Sequence, residues 1–408
     1  MLWLWTGFLL FVTIMLALDL GVFHRKAHVV STREALGWSS VWIGLSLTFT
    51  AVVWALYKWN VFDIAVHDAA MVARNPGLYP STPGKAAMMY LNGYLTEWSL
   101  SVDNIFVIAV IFAYFRIPAQ YQHRVLFWGI IGAVVLRGVF ILLGAGLIAR
   151  FHWTIYIFGA ILLVTAIRLL FAGGEHDPGN SRIVRFIHRH FPVTDRIHGQ
   201  KFIVDRSEIQ PGEKVDEVWD ETQANGDGPS GSVAAAAGAG PASVDYRGAA
   251  KATGRVLTPL GLALIVVETT DVIFAFDSIP AIFGITGDPF LVFTSNIFAI
   301  LGLRAMYFAL AGIIRKFHHL QTALALVLGF IALKMLLTDV VHEYERLQEL
   351  MPFITFGVIV FCIVGGIIAS LLLPLSPKEE KELELIEKTA DSPPPPRRPD
   401  EPPPSDAP

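Results

Sequence analysis

Two stretches of the sequence place carboxylates inside apolar runs long enough to cross a bilayer. One reads Glu97-x5-Asp103-Asn104-Ile105, and the other reads Asp271-x5-Asp277-Ser278-Ile279. A charge at the centre of a bilayer costs about 2.5–3.5 kcal/mol on insertion scales, so such residues are functional candidates from the outset. Helical spacing sorts them. Glu97 and Asn104 are seven apart and share a face, whereas Asp103 is turned about 120° from Glu97. In the second stretch Asp271 and Ser278 share a face, Glu268 lies three residues before Asp271, and Asp277 points aside. Two such faces meeting would gather Glu97, Asp103, Asp271 and Asp277, with Asn104, Ser278 and backbone carbonyls completing an all-oxygen shell. Pro280 lacks an N–H, so it should free the carbonyl of Phe276 as a further oxygen and interrupt the helix there.

Oxygen donors of this kind favour hard divalent cations: Mg²⁺, Ca²⁺ or Mn²⁺. Neither stretch contains His or Cys, which disfavours zinc. The nearest methionines, Met88 and Met89, precede the first stretch by more than two helical turns, which disfavours copper. Mn²⁺ is therefore preferred over the softer metals, while Mg²⁺ and Ca²⁺ fit the same donors. A carboxylate that gives up its metal in a dry site takes a proton instead, because burial disfavours its charged form. Metal-for-proton exchange thus needs no additional residues.

Four bases also fall within apolar runs: Arg137, Arg168, Arg304 and Lys334. They admit two readings. Either they compensate the acids in an empty site and are displaced by the cation, or they form structural ion pairs that lock the helices together. Asp19, just before His24-Arg25-Lys26, is either a local ion-pair partner or part of a cation path. Asn92, one and a half turns before Glu97, is a weaker pathway candidate.

The elements that must position these residues are helices. The chain has 408 residues, of which 54% are hydrophobic and only 16% charged. A soluble domain is nearer a quarter charged. The apolar residues form nine blocks of roughly the length that crosses about 30 Å of hydrocarbon. They lie near 2–23, 35–57, 86–115, 122–148, 153–172, 256–284, 289–314, 318–339 and 353–373. An all-α polytopic membrane protein follows, with the lipid bilayer as its first partner. Basic residues cluster in alternate connections, as with Arg25, Lys26 and Arg33, then Arg116 and Arg124, then Arg315 and Lys316. By the positive-inside rule this sets the N-terminus outside and the C-terminus in the cytoplasm.

A repeat organises the middle of the chain. Each acidic stretch opens a three-span unit, at 86–172 and 256–339. The second spans match at Leu136-Arg137 and Leu303-Arg304, and the third at Ala166-Ile167-Arg168 and Ala332-Leu333-Lys334. The first spans of the two units run in opposite directions, so the repeat is expected to be inverted. Transporters built this way bind substrate near the midplane, where the repeats meet. The division expected is 1–172 and 255–375 as membrane segments, 173–254 as a largely disordered cytoplasmic loop with a Gly/Ala-rich centre, and 376–408 as a disordered Pro-rich tail. Segment 61–84 reads as an outer amphipathic helix and a loop.

The residues Glu97-x5-Asp103-Asn104, Glu268-x2-Asp271-x2-Phe274-Ala275-x-Asp277-Ser278-Ile279-Pro280 and the Leu-Arg element at Arg304 resemble the TerC family, over about 1–375. That family is named for tellurium resistance, includes the Alx-type proteins, and is placed in the lysine-exporter superfamily of transporters. The resemblance implies a bacterial cytoplasmic-membrane protein linked to manganese efflux, tellurite resistance or metal supply to exported enzymes. It also implies Glu97, Asp103, Glu268, Asp271 and Asp277 as the working acids. The function expected is secondary transport of Mn²⁺ out of the cytoplasm, in exchange for protons. The alternative is a membrane scaffold for partner proteins, with structural ion pairs. No nucleophile–base pair, nucleotide loop or redox-cofactor motif stands out, so neither an enzyme, nor a prosthetic group, nor a nucleic-acid partner is expected.

Overall fold

A computed structural model describes residues 2–18, 32–64, 77–151, 153–171, 191–194, 196–209, 215–216, 254–310, 319–342 and 344–372. Among the described residues nine principal helices carry the fold: α1 (Leu2–Leu18), α2 (Thr32–Lys58), α3 (Pro83–Tyr114), α4 (Ala119–Arg150), α5 (Thr154–Phe171), α6 (Pro259–Phe283), α7 (Pro289–Leu310), α8 (Leu320–Leu336) and α9 (Glu345–Leu372). Among the described residues seven helices are long and apolar enough to cross a membrane, and Leu2–Ala17 and Leu320–Leu336 are shorter apolar helices. Each helix falls on one of the nine expected blocks. The protein is thus all-helical and polytopic, with seven to nine candidate spans.

Local sequence explains where the key helices start. Both α3 and α6 begin with Thr-Pro. The Thr82 hydroxyl accepts from the Lys85 amide at 3.2 Å, and the Thr258 hydroxyl accepts from the Gly261 amide at 3.2 Å. Proline follows at the first helical position, where its missing N–H is no loss. Helix α7 is capped by Asp288, whose Oδ1 accepts from Phe290 N at 2.7 Å and Leu291 N at 3.3 Å, while its Oδ2 accepts from the Tyr57 hydroxyl. Pro280 does not interrupt α6, which stays helical from Pro259 to Phe283. The expected discontinuity is therefore corrected: the helix absorbs the proline within a continuous turn pattern.

The centre of the bundle is α7. Every residue from Phe290 to Leu301 is buried, enclosed by α2, α3 and α4. Rings from four helices fix this arrangement. Phe8 of α1 lies 5.9 Å from Phe293, and Phe49 of α2 lies 4.7 Å from Phe298, which also meets Tyr90 of α3 edge-on at 6.3 Å. Offset and edge-on pairs of this type add about 0.5–1.5 kcal/mol each beyond their burial. Helix α3 packs on α7 as α4 packs on α6, and α5 packs on α8. Close approach of α3 and α7 depends on Gly93, where an added Cβ would stand 2.8 Å from Ser295 Oγ and 3.2 Å from Ser295 Cβ. Small residues at such crossings let helix backbones approach in a membrane.

The described parts of the long connection and the residues that follow it carry four short strands. Strands β1 (Val193–Thr194), β2 (Ile203–Asp205), β3 (Val215–Asp216) and β4 (Arg255–Leu257) form one sheet in the order β2-β4-β1-β3. β1 and β4 are parallel, with Val193 opposite Leu257; the other two pairings are antiparallel. Val204, Val215 and Val256 make its small core. The sheet leads directly into α6. Thr258 anchors it by donating to the Lys201 carbonyl at 2.7 Å, and the Arg124 side chain of α4 donates to Gln200 at 2.8 Å. The Gly/Ala-rich centre, most of 61–84 beyond Ile64, and the Pro-rich tail lie outside the described residues.

Two outcomes test this packing. Gly93→Val should lower the thermal unfolding midpoint in detergent, by the about 1–3 kcal/mol that overpacking costs. Gly146→Val, where a Cβ meets nothing within 4 Å, should leave it nearly unchanged. Thr258→Val should remove a cap worth about 1 kcal/mol together with the sheet anchor. Faster protease cleavage between residues 191 and 209 is the measurement that reports it.

Candidate functional site

Arg137 of α4 reaches into the seam between α3, α6 and α7. Its side chain is only 1% exposed. It forms ion pairs with Glu97 of α3 and with Asp271 of α6, the latter at 2.9 Å from Nη2 to Oδ1. Nε also donates to Asp271 Oδ2 at 3.5 Å, so the guanidinium grips that carboxylate with two nitrogens. This fork geometry is what arginine offers and lysine does not. Nη1 donates in addition to Asn296 Oδ1 of α7 at 3.0 Å and to Ser278 Oγ of α6 at 3.3 Å. Four side chains from three helices therefore converge on one cation.

Two carboxylates share one guanidinium, in a region where Glu97, Asn296 and Arg137 are each 0% exposed. Glu97 Oε1 is held by the Arg137 guanidinium, whereas its Oε2 has no hydrogen-bond partner among the described residues. A buried acceptor in that condition is costly unless something else approaches it. One turn before Asp271, Glu268 packs its carboxylate directly against Gly132 of α4, in space that any Cβ would fill. Its Oε2 is buried without a hydrogen-bond partner.

A small cleft between α3, α4, α6 and α7 reaches Asp271 of this cluster. Asn104, Thr270, Asp271, Phe274, Leu126 and Leu303 are among the residues lining it. Asn104 is 5% exposed and shares the cleft wall with Asp271, as the common face of Glu97 and Asn104 predicts. Leu126 and Leu303 belong to the apolar cluster that also holds Val193 and Leu257 of the sheet. The cleft thus lies on the sheet side of the ion cluster.

The other candidates are dispersed. Asp277 accepts from the Thr165 hydroxyl of α5 at 2.7 Å, with Arg168 of the same helix close enough to act on it electrostatically. Asp103 is half-buried and Arg304 is buried, and each takes part in an interaction. Lys334 is half-buried on α8. Asn92 donates to the Pro352 carbonyl at 2.7 Å, which makes it a clamp between α3 and α9 here. Asp19 lies outside the described residues. Among the described residues no three of His, Cys, Asp and Glu gather as a metal-binding group. The expected single shell of Glu97, Asp103, Asp271 and Asp277 is therefore not assembled in this conformation. The reason is geometric. Arg137 occupies the space between Glu97 and Asp271, and Asp277, six residues on from Asp271, is turned away around α6 to face α5.

Two residues escaped the sequence reading. Asn296 carried the signal that singled out Asn92 and Asn104, an amide inside an apolar span. Thr165 carried none, because a helical threonine ordinarily bonds its own backbone.

Comparison with known proteins matches residues 82–377 to the integral membrane protein TerC family. A Myxococcus xanthus sequence described as uncharacterized membrane protein STKORF319 is 41% identical over 90% of this chain and 92% of its own length. The Escherichia coli K12 protein called putative membrane-bound redox modulator Alx is 40% identical over 83% of this chain and 87% of its own. A Rickettsia felis uncharacterized membrane protein is 33% identical over 90% of this chain and 97% of its own. No solved structure matches. With the match covering most of the helical bundle, including every residue of the ion cluster, the chain belongs to the TerC family of integral membrane proteins.

Proposed function

We propose that this protein is a secondary transporter that exports divalent metal cations, Mn²⁺ foremost, from the bacterial cytoplasm in exchange for protons. The observation that carries the proposal is Arg137 buried between Glu97 and Asp271 at the end of the cleft. A guanidinium there neutralises the acids while no metal is bound and so suppresses leak. An incoming divalent cation competes for the same two carboxylates. Asn104 and Ser278 stand beside them to supply neutral oxygens, with the Phe276 carbonyl as a further donor, and Glu268 sits one turn away. Asp103 and Asp277 serve later positions of the ion as the helices rearrange. Arg304, Arg168 and Lys334 compensate charge, and Asp19 and Asn92 flank the path. Mg²⁺ and Ca²⁺ suit the same donors.

The inverted repeat belongs to this proposal. Units α3-α4-α5 and α6-α7-α8 each open with a Thr-Pro cap, and the contact of α3 with α7 has its counterpart in that of α6 with α4. That pattern supports a pseudo-two-fold axis through the cluster and hence alternating access. The charge of the connections supports an outer N-terminus and a cytoplasmic C-terminus, which would place the sheet and the cleft mouth on the cytoplasmic side. The printed name of the Alx relatives speaks of redox modulation. This chain has one cysteine, Cys362, so dithiol exchange would require a second protein, and metal export fits the oxygen-rich cluster better.

Three outcomes are expected. In liposomes with an acidic lumen, the protein should accumulate Mn²⁺ faster than without the gradient, and faster than Zn²⁺. Asp103→Asn and Asp277→Asn should each reduce that flux at least tenfold while remaining folded in the membrane. Persistent flux would remove these acids from the path, and misfolding would favour the scaffold reading. Arg137→Ala should destabilise the apo protein by the about 3–5 kcal/mol that follows loss of one partner from a buried pair. Mn²⁺ should raise its unfolding midpoint more than that of the wild type; equal or smaller stabilisation would argue against a shared site.

A further inference from the structure

The same guanidinium that holds the two acids also touches two neutral acceptors, and these have no evident role as metal ligands while Arg137 fills the site. Asn296 Oδ1 receives Nη1 at 3.0 Å and Ser278 Oγ receives it at 3.3 Å. Asn296 is 0% exposed and Ser278 2%. The amide of Asn296 is oriented from behind, since its Nδ2 lies 3.5 Å from the Val292 carbonyl as a donor, which leaves Oδ1 turned to the arginine. The two acceptors sit on different helices, α7 and α6, and neither carries charge.

We propose that Asn296 is a berth that retains Arg137 when a metal takes its carboxylates and the Ser278 oxygen. A displaced guanidinium cannot be left bare in a dry bundle, because an unpaired buried charge is among the costliest states a protein can hold. Nor can it leave for water without withdrawing its whole stem from between four helices. A neutral acceptor already in contact solves this. It keeps Arg137 hydrogen-bonded without drawing it strongly away from the acids, so the exchange between metal-loaded and empty states stays nearly balanced. A ligand that binds both states equally shifts nothing, and the balance of the two berths therefore sets the apparent metal affinity. Asn296 is accordingly a positioning residue, acting on the metal through Arg137. The inference rests on the transport reading above, and it makes the polarity of position 296 the specific determinant of affinity.

The test is Mn²⁺ flux into proteoliposomes across a concentration series, for Asn296→Ala and Asn296→Asp in the full-length chain. Alanine removes the berth and returns Arg137 to the acids. KM for Mn²⁺ should then rise about tenfold, the factor to which 1.4 kcal/mol converts, with kcat little changed. Aspartate strengthens the berth and draws Arg137 off the acids, so KM should fall below the wild-type value. Opposite movement of KM is a signature that a merely structural asparagine would not give. Movement in the same direction, or no movement in either variant, overturns the inference. Should the aspartate variant fail to reach the membrane, Asn296→Ser retains an oxygen acceptor and must give a KM between those of wild type and alanine; a value equal to that of alanine overturns the berth. A wild-type protein that carries no Mn²⁺ sinks the transport reading itself, whereas normal wild-type flux with unmoved variants sinks only the role of Asn296.

Discussion

The contact on which the rest depends is the guanidinium of Arg137 held between Glu97 and Asp271. Three formal charges, two of them with essentially no exposure and Asp271 only 16% exposed, cannot be stable singly in an apolar bundle. They are tolerable together because arginine presents a planar fork of donors, and because Asn296 and Ser278 accept what the carboxylates leave. The arrangement imposes a constraint on the whole fold. Helices α3, α4, α6 and α7 must meet at one depth and with defined rotations, or some charge is orphaned. A register slip of one residue in any of them turns its polar group about 100° away.

That requirement accounts for the way the surrounding bundle is built. Helix α7 brings Asn296 to the centre and is apolar around nearly its whole circumference, so it can be enclosed on every side. Its depth is fixed by the Asp288 cap at one end and by the ring cluster of Phe290, Phe293 and Phe298 along its side. Helices α3 and α6 are started by the same Thr-Pro device, which sets where along each helix the acids fall. Gly93 and Gly132 allow backbone and carboxylate to come closer than any side chain would permit. The small sheet is tied to the start of α6 through Thr258, so the ordered part of the long connection joins the bundle on the side from which the cleft approaches Asp271.

The proposed transport cycle requires charge pairs that exchange partners rather than a permanent architecture. Glu97 Oε2 retains unbonded acceptor capacity among the described residues, and two carboxylates share one guanidinium. A purely structural triad would gain by satisfying or removing that capacity, since buried pairs replaced by apolar residues are often equally stable or more so. Asp277, bonded to Thr165 near Arg168, forms a second and separate polar point on the face toward α5. Two acid sites separated around one helix are what a cation that moves in steps requires, and they are what the proposed cycle uses.

Sequence alone determined the class of the protein and the parts list of its site. Apolar block length defined the helices, since a span needs about 20 such residues whatever its neighbours are. The cost of charge in hydrocarbon marked Glu97, Asp103, Asp271, Asp277 and the four bases. Helical periodicity placed Glu97 with Asn104 and Asp271 with Ser278, because it depends only on local geometry. Tertiary structure alone decided which base met which acids. Arg137 meets Glu97 of α3 and Asp271 of α6 at once, Asp277 turns to Thr165, Asn92 clamps α9, and Asn296 completes the cluster. Those choices follow from the rotation and depth of separately folded helices, and they are fixed by glycine contacts and ring packing between segments far apart in the chain. The ordered sheet was hidden for the same reason: strands of two or three residues are stable only when they pair across the loop and dock on a bundle that their own sequence does not encode.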